Sequence, residues 1–433
     1  MKRLGVLLTI CVAAGLFCAC DIYEFNPRQP KEKTWDKVLI LYQAGYNSLS
    51  RYLKEDLAEL QQGDLPAASD AQAILIVAHH TVSYLEFDTK TQPCIIRLYK
   101  DKKGTPVLDT LSRMSDTDLL TRKEIMARSL NYIAEQFKSD HYGLILSSHG
   151  TGWLPIDYYA HPDKYKLSPA AGGRKAAPKA VFPEGPVPFE ETEPMPGPPT
   201  RTFGEERIKD GSAITIHETD IKDLVAGLPY RFDYILMDVC LMGCVEVAYE
   251  LKDKAGWIGF SPAEILADGL DYTKISARLL KSGDPDLQGV MDDFYDSHVA
   301  QTGDYKSACY TLVDCSKLEP LAAACRDAFA AGRKAIEEVD PGRVQPLFRG
   351  SHHWFYDLKD ILDQAGAGSS AVDRALDGCV TYKVHTEKFM PASGGFVFRT
   401  YCGLSMYLPC NGSGYLDEYY KTLAWNKATS LVQ

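Results

Sequence analysis

The stretch RFDYILMDVCLMGCVEVAYEL, from Arg231 to Leu251, decides how the rest of the chain is interpreted. Its first half contains a short apolar run, Tyr234 to Val239, which predicts a buried β-strand. Its second half repeats apolar residues at helical spacing, which predicts that the strand turns directly into a helix. Cys240 lies at the junction. A buried strand followed by a helix is the repeating unit of open α/β sheets, so the stretch predicts an α/β fold.

The thiol of Cys240 lies, in this interpretation, at the carboxyl end of a strand and the amino end of a helix. Open α/β sheets hold their ligands at the carboxyl ends of strands. A helix amino terminus offers partial positive charge and N–H groups that favour thiolate over thiol. Most lone cysteines in apolar runs are simply buried, but this placement makes Cys240 the best candidate nucleophile. Cys244, one helical turn further on, is expected to be a core residue.

Further apolar runs separated by helical patterns predict more strands of the same sheet. The predicted strands are Lys37–Tyr42, Ala73–Ala78, Tyr142–Ser147 and Trp257–Phe260, with Cys94–Tyr99 as an edge candidate. A helix is predicted over Leu119–Phe137. This alternation is typical of a mostly parallel sheet with helices on both faces.

The chain after Lys306 shows similar patterns. The predicted elements there are strand Cys309–Val313, helices Leu318–Ala335 and Asp357–Gln364, and strands Phe396–Thr400 and Leu404–Leu408. The sequence alone does not decide whether they complete the same domain or form a subdomain packed on it.

Composition excludes several classes of protein. With 433 residues, 45% of them hydrophobic and 24% charged, the chain fits neither a disordered protein nor a membrane bundle. A formal charge of -11 argues against nucleic-acid binding, which needs a basic surface. An acidic surface would instead favour a cationic substrate.

The first residues predict a targeting segment. Lys2 and Arg3 precede the apolar run LGVLLTICVAAGLF, which is short for a membrane span and typical of a signal peptide over residues 1–19. The following FCAC resembles a bacterial lipoprotein box, although Phe17 stands where leucine is usual. We therefore expect Cys20 to be acylated, with residues 20–35 as a spacer and the protein lipid-anchored in the bacterial cell envelope, at the outer membrane or surface. Ordinary secretory cleavage near Ala19 is the alternative.

The cysteine count bears on redox state. Removal of Cys11 and Cys18 and acylation of Cys20 would leave nine cysteines, an odd number, so at least one would stay free or pair with another chain. The cysteine and histidine spacings do not suggest a zinc site.

One irregular segment interrupts the predicted domain, which spans residues 36–433. Pro155 to Pro199 contains eleven of the 24 prolines and is expected to be an exposed loop or disordered insert. Exposed basic residues within it, such as Lys175 and Lys179, are candidate cleavage points.

His149 is the natural partner for the thiol. It follows the predicted strand that ends at Ser147, so it too would lie at the carboxyl edge of the sheet. A thiolate, an imidazole and N–H donors for an oxyanion are the groups that a cysteine peptidase requires. The N–H groups of Gly150 and Cys240 could serve as the donors, and no third side chain is obviously required.

Alternatives remain at the level of sequence. His79 and His80 also end a strand, and His352 and His353 lie in a predicted loop, so each pair rivals His149. Ser147 and Ser148 lack a GxSxG elbow, which argues against a serine hydrolase.

Asp238 lies two residues before Cys240 on the same strand. Side chains at i and i+2 share a face, so this carboxylate would project toward the same pocket. It would pair there with an Arg or Lys side chain of a substrate. The alternative is that it caps the helix or orients a neighbouring group.

Several stretches together resemble the clostripain-like cysteine peptidases, which belong to the clan of caspases, legumains and gingipains. They are LILSSHGTGW, FDYILMDVCLMGCVEVAYEL, TRTFG at Thr200–Gly204, SPAEILADGLDY at Ser261–Tyr272, and CGLSMYLP. The likeness spans roughly Lys37 to Pro409.

The resemblance implies a caspase-like three-layer α/β sandwich with a His149/Cys240 dyad. It further implies cleavage after Arg or Lys, with Asp238 in the specificity pocket, and maturation by cleavage between His149 and Cys240. Clostripain itself depends on calcium, but the sequence has no DxDxDG-type loop, so we expect no required cofactor and keep calcium as a minor alternative.

Two hypotheses of function follow. The first is a lipid-anchored cysteine endopeptidase acting on peptides or proteins with Arg or Lys before the scissile bond. The second is a catalytically silent surface lipoprotein that binds peptides or glycans on a peptidase scaffold. The complete thiol–imidazole pair favours the first.

Overall fold

The computed structural model describes residues 33–82, 90–165, 180–188, 205–210, 213–349 and 354–433. The predicted signal segment and Cys20 lie outside the described residues. So do Lys175, Lys179 and the pair His352–His353.

The described residues form strands and helices in alternation through most of the chain. The strands are β1 (Lys37–Gly45), β2 (Gln72–His80), β3 (Cys94–Lys100), β4 (Pro106–Arg113), β5 (Tyr142–Ser147), β6 (Val187–Pro188), β7 (Glu205–Asp210), β8 (Ala213–Glu218), β9 (Phe232–Asp238), β10 (Ala255–Phe260), β11 (Cys309–Asp314), β12 (Tyr356–Asp357), β13 (Val380–His385), β14 (Lys388–Phe389), β15 (Phe396–Val397) and β16 (Ser405–Met406). The α-helices are α1 (Ser50–Leu60), α2 (Lys123–Gln136), α3 (Ile221–Gly227), α4 (Val245–Leu251), α5 (Tyr272–Leu279), α6 (Leu287–Val299), α7 (Leu318–Glu337), α8 (Leu358–Gln364), α9 (Ser370–Cys379), α10 (Gly414–Tyr420) and α11 (Ala424–Thr429).

A nine-stranded sheet organises the molecule, in the order β13-β11-β10-β9-β5-β1-β2-β3-β4. Its five central strands, β10, β9, β5, β1 and β2, run parallel. Antiparallel strands extend it on both sides. The sheet agrees with the predicted α/β fold and its mostly parallel centre.

The central strands are buried on both faces, which explains their continuous apolar sequences. Ile40, Ile74, Leu144 and Ile235 are all completely buried. Helix α5 contacts both α1 and α6, and these three helices form one group. A second group is formed by helices that each contact the next in the order α2, α3, α4, α11, α7 and α9. The sheet therefore lies between two layers of helices.

The C-terminal third completes the same sheet, because it supplies β11 and β13. Two predictions outside the parallel centre were wrong, one about an edge of this sheet and one about the proline-rich insert, whose strand belongs to a separate sheet of order β6-β8-β7. Cys94–Lys100 is not the edge strand, since β4 pairs along its outer side. The insert also contributes a short strand: Val187–Pro188 pairs antiparallel with β8, at a point where proline needs no ladder donor.

No helix in the described part of the chain is long and apolar enough to cross a membrane. None of the nine cysteines in the described part of the chain forms a disulfide bond.

Candidate active site

His149 and Cys240 follow neighbouring parallel strands of the central sheet. The last register pair between β5 and β9 joins Ser147 to Asp238, and each candidate lies two residues beyond its member of that pair. Parallel strands lie about 4.8 Å apart. The structure therefore brings the imidazole and the thiol to adjacent positions on the carboxyl edge.

The loops that follow the two residues are in direct contact. Gly152 has a φ of +61°, and a methyl group on its Cα would lie 2.7 Å from the carbonyl oxygen of Leu241. Leu241 itself adopts a φ of +62°, which is uncommon for a residue with a side chain. Such strained conformations cluster at functional sites, and here one directly follows Cys240.

The surroundings of Cys240 correct one prediction. Helix α4 begins at Val245 and not at the cysteine, with Cys244 as its N-cap residue. The helix dipole acts mainly within its first turn, so the predicted electrostatic effect of a helix on the thiol is wrong. A turn through Leu241 and Gly243 separates the strand from the helix instead.

A backbone amide takes the place of the predicted helix terminus. The N–H of Ile265 donates to Cys240 Sγ at 3.1 Å, and Sγ lies 3.5 Å from the carbonyl oxygen of the same residue. The Ser261–Ile265 loop is fixed there because Leu241 N donates to Ala263 O at 2.8 Å. The N–H group can support a thiolate, and the carbonyl oxygen can accept the proton of the thiol, so this loop contacts Cys240 in either protonation state.

The imidazole of His149 contacts a serine hydroxyl from another part of the chain. Its Nε2 lies 2.9 Å from Ser48 Oγ, in the loop between β1 and α1. The preceding residue, Ser148, donates its hydroxyl to Ala44 O at 2.7 Å. Gly150, buried, directly follows the histidine. The oxyanion roles of the Gly150 and Cys240 N–H groups stay predictions.

The rival histidines of β2 are buried away from Cys240. His79 Nδ1 lies 2.6 Å from Glu206 Oε1, and both side chains are completely buried. Burial lowers the pKa of His80 to about 3. Their strand, β2, is separated from β9 by two strands, about 14 Å in all. Of the candidate histidines that the structure describes, His149 is therefore the one that the fold brings to the edge of Cys240.

Asp238 is completely buried beneath the edge. Its Oδ2 accepts a hydrogen bond from Tyr272 at 2.8 Å and a longer one from Ser147 at 3.5 Å. The neighbours of Tyr272 in the chain, Asp271 and Thr273, line a cavity of about 220 Å³. Asp238 thus lies behind the wall of a cavity and not at its surface.

That cavity is lined by acidic side chains, a feature that was not predicted from the sequence. Glu59, Asp268 and Asp271 line it together with polar groups of α6. Leu266, in the same wall, directly follows the residue whose amide contacts Cys240. The sequence signal was present in SPAEILADGLDY, but the contribution of Glu59 comes from a helix some two hundred residues earlier in the chain.

Cys240 is covered by other parts of the molecule. Its exposed fraction is 0%, and that of His149 is 6%. Burial raises the pKa of Tyr159, and Glu264 and Cys240 lie close enough to raise it further. Tyr159 belongs to the first residues of the proline-rich insert, so this part of the chain lies close to the thiol.

A buried ion pair supports the same region. Arg349 Nε donates to Glu264 Oε2 at 2.7 Å, with both side chains 2% exposed. Glu264 directly precedes Ile265, whose amide donates to Cys240 Sγ. The pair therefore joins the loop around the thiol to the chain that precedes β12.

Within the described ranges, no group of three or more His, Cys, Asp or Glu side chains is arranged to hold a metal ion. Calcium dependence stays a prediction.

The site has the elements of a cysteine-nucleophile hydrolase on an α/β fold. Comparison with known proteins agrees with this class of enzyme. The sequence model of the clostripain family matches residues 41–164 and 198–425. The chain belongs to the clostripain family and is a cysteine peptidase, which confirms the predicted resemblance.

Solved structures show the same fold. An inactive zymogen of a C11 protease from Parabacteroides distasonis is 25% identical with a TM-score of 0.68, over 92% of this chain and 99% of that one. A secreted C11 cysteine protease from Bacteroides thetaiotaomicron, in complex with an irreversible peptide inhibitor, is 22% identical with a TM-score of 0.68, over 91% and 98% of the chains. No curated protein matches the chain.

Proposed function

We propose that this protein is a lipid-anchored envelope endopeptidase that cuts after Arg or Lys, with Cys240 as nucleophile and His149 as acid and base. The observation that carries the proposal is the register of β5 and β9, which puts both residues at one edge of the sheet. The loop contact between Gly152 and Leu241 supports it independently.

The chemistry follows from these positions. His149 takes the thiol proton, and the sulfur of Cys240 attacks the carbonyl carbon before the scissile bond. Collapse of the tetrahedral intermediate breaks the C–N bond as His149 returns the proton to the leaving amine. Water, deprotonated by His149, then attacks the thioester, which releases the carboxyl product and restores the thiol. The amide of Ile265 supports the thiolate at the start of the cycle.

Preference for basic residues is supported by the acidic cavity beside the site. Carboxylates of Glu59, Asp268 and Asp271 line it, and Asp238 lies behind its wall through Tyr272. Paired charges of opposite sign give Arg and Lys side chains an advantage over neutral ones. We assign Asp238 to this pocket as an inner carboxylate, with Asp268 nearer to solvent.

Maturation between His149 and Cys240 is supported by two observations. The thiol is buried, and Tyr159, near the start of the insert, lies close to it. The family match omits residues 165–197, which make up most of the insert. We infer that cleavage in the insert, at a basic residue such as Lys175 or Lys179, opens the approach to Cys240.

The proposed lipid anchor fits the orientation of the sheet. Strand β1 begins at Lys37, and its amino end lies at the edge opposite to His149 and Cys240. A tether through Cys20 would therefore direct the active site away from the membrane. Replacement of Cys20 by Ala should release the protein from washed membranes, and retention of the variant would refute the anchor.

The central test replaces the nucleophile. Cys240→Ala should lower hydrolysis of an Arg- or Lys-containing reporter peptide by at least about 10⁴-fold and stop self-cleavage. Cys410→Ala, which removes an exposed cysteine, is the matched control and should remain active. Labelling by a basic-residue peptide with a thiol-reactive group should require Cys240. A folded wild-type protein that binds peptide but is not labelled would be the silent binder.

The proposed preference for Arg and Lys substrates is tested by two further variants. Asp238→Asn and Asp268→Asn should reduce kcat/KM for Arg and Lys reporters far more than for a matched alanine reporter. An equal loss on both reporters would show that the carboxylate supports the fold and not the pocket.

A further inference from the structure

Ser48 provides a third side chain at the site, which the sequence analysis had not required. Its Oγ lies 2.9 Å from Nε2 of His149. The residue itself is exposed, and the histidine is 6% exposed. The contact joins residues 101 positions apart in the chain, so it depends on the fold.

The turn that carries Ser48 is held rigidly. Asn47, completely buried, accepts the N–H of Leu49 on its side-chain oxygen at 2.9 Å. Its side-chain amide donates to Ala44 O at 3.0 Å and to Glu205 O at 2.8 Å. The Cα of Ser48 is therefore fixed between the end of β1 and the start of β7, and mainly its side-chain rotation is left to vary.

The protonation of His149 in a Cys240–His149 ion pair gives the hydroxyl of Ser48 a role as hydrogen-bond acceptor. A thiolate–imidazolium pair carries a proton on both ring nitrogens, so each N–H needs an acceptor. The oxygen of Ser48 is placed to accept the proton on Nε2, and its own proton can turn toward solvent. With Nε2 engaged, Nδ1 is the nitrogen that exchanges the proton with Cys240.

We propose that Ser48 is a positioning residue, which accepts a hydrogen bond from Nε2 of His149, fixes the ring and stabilises the imidazolium during peptide hydrolysis. The inference rests on the proposed Cys240/His149 dyad. A neutral hydroxyl would orient the ring as the carboxylate does in other triads, but with a weaker electrostatic effect on the imidazolium.

The test compares Ser48→Ala with Ser48→Thr in the full-length chain. Ser48→Ala should lower kcat by about 10- to 100-fold, the factor that a hydrogen bond to a charged group corresponds to, with little change in KM. Loss of the acceptor disfavours the imidazolium. The alkaline limb of the kcat/KM profile should therefore move to lower pH, by up to about one pH unit. Ser48→Thr, which keeps a hydroxyl, should restore most of the rate and the profile.

Controls separate this role from a structural one. Ser316→Ala removes an exposed serine near β11 and should change neither rate nor profile. A wild-type pH profile and kcat in Ser48→Ala would overturn the proposal. If Ser48→Ala unfolds, the Thr variant decides: a folded Thr variant with wild-type rate and pH profile supports the role, and a folded Thr variant whose kcat falls about 10-fold or more refutes it. Activity that survives Cys240→Ala would instead refute the proposed function.

Discussion

The two ends of the same parallel strands differ in how open they are. At the amino edge, a cleft of about 690 Å³ is lined by Lys37, His141 and Asp233 among others. At the carboxyl edge, Cys240 is fully buried and the adjacent acidic cavity measures about 220 Å³. The larger cleft is therefore not where the candidate nucleophile lies. In this fold the chemistry is located by the strand ends and their side chains, and Tyr159, near the start of the insert, lies close to the buried thiol.

The largest expected effect comes from an ion pair at the closed edge. Arg349→Met leaves Glu264 charged in a buried site and should lower the free energy of unfolding by about 3–5 kcal/mol. Because Glu264 precedes Ile265, activity should fall even under conditions where the variant is folded. Chemical denaturation and kcat/KM on a basic reporter measure the two effects.

An ion pair at the open edge is the matched control. His141 Nδ1 lies 2.9 Å from Asp233 Oδ2, and the two side chains are 63% and 42% exposed. His141→Ala should change stability by less than about 1 kcal/mol and leave kcat/KM unchanged. Similar losses in both variants would contradict the distinction between the two edges.

A pair of glycines sharpens the comparison. Gly152 at the closed edge and Gly283 at the open edge both have positive φ, +61° and +81°. A methyl group added at Gly283 would have no atom within 4 Å. Gly283→Ala should therefore lower the free energy of unfolding only through backbone strain, by about 1 kcal/mol. A methyl group added at Gly152 would also clash with Leu241 O and the ring of Phe355. Gly152→Ala should therefore lower the free energy of unfolding by at least about 2 kcal/mol.

The two glycine variants should also differ in activity. Gly152→Ala pushes apart the loops that carry His149 and Cys240, and a displacement of about 1 Å in a catalytic group can cost about 100-fold. Gly283→Ala should remain fully active. Steady-state kinetics on folded protein distinguish them. Wild-type kcat/KM in Gly152→Ala would mean that the loop contact does not set the site.

The centre of the sheet could be predicted because its signal is local. Tyr142–Ser147 was predicted with the bounds the structure has, since continuous apolar runs mark strands covered on both faces. β4 was missed because its sequence, PVLDTLSR, mixes polar and apolar residues, as an edge strand can. The β7–β8 hairpin was missed although Asp210–Gly211 is a recognisable turn signal.

The site was only partly predictable for a different reason. Cys240 and His149 stand at strand ends, which sequence patterns reveal. Ser48 and Glu59 reach the site through the fold, and the contact from Ile265 is a backbone amide that any non-proline residue would supply. The helix predicted to start at Cys240 was wrong because apolar spacing does not show the left-handed turn at Leu241.

A further expected effect concerns the pH dependence of stability at the closed edge. Asp157, with a φ of +68°, donates its N–H to Glu218 Oε2 at 2.7 Å, and this contact ties the start of the insert to β8. Burial raises the pKa of Glu218 to about 7, and the carboxylates of Glu205 and Asp157 add to the rise. The hydrogen bond from Asp157 and the nearby His161 oppose it.

The sign of the pH effect follows from the raised pKa of Glu218. The folded state holds this proton more tightly than the unfolded state, so the stabilisation is complete below the ordinary carboxyl pKa and is lost as pH rises through about 7. In a Cys240→Ala background, which prevents self-cleavage, stability should therefore fall by about 2 kcal/mol between pH 5 and pH 8 through this group. Glu218→Gln should flatten that part of the profile, because glutamine has no proton to lose. An equally steep profile in the glutamine variant would place the pH dependence elsewhere, and the start of the insert would then be held independently of the charge on β8.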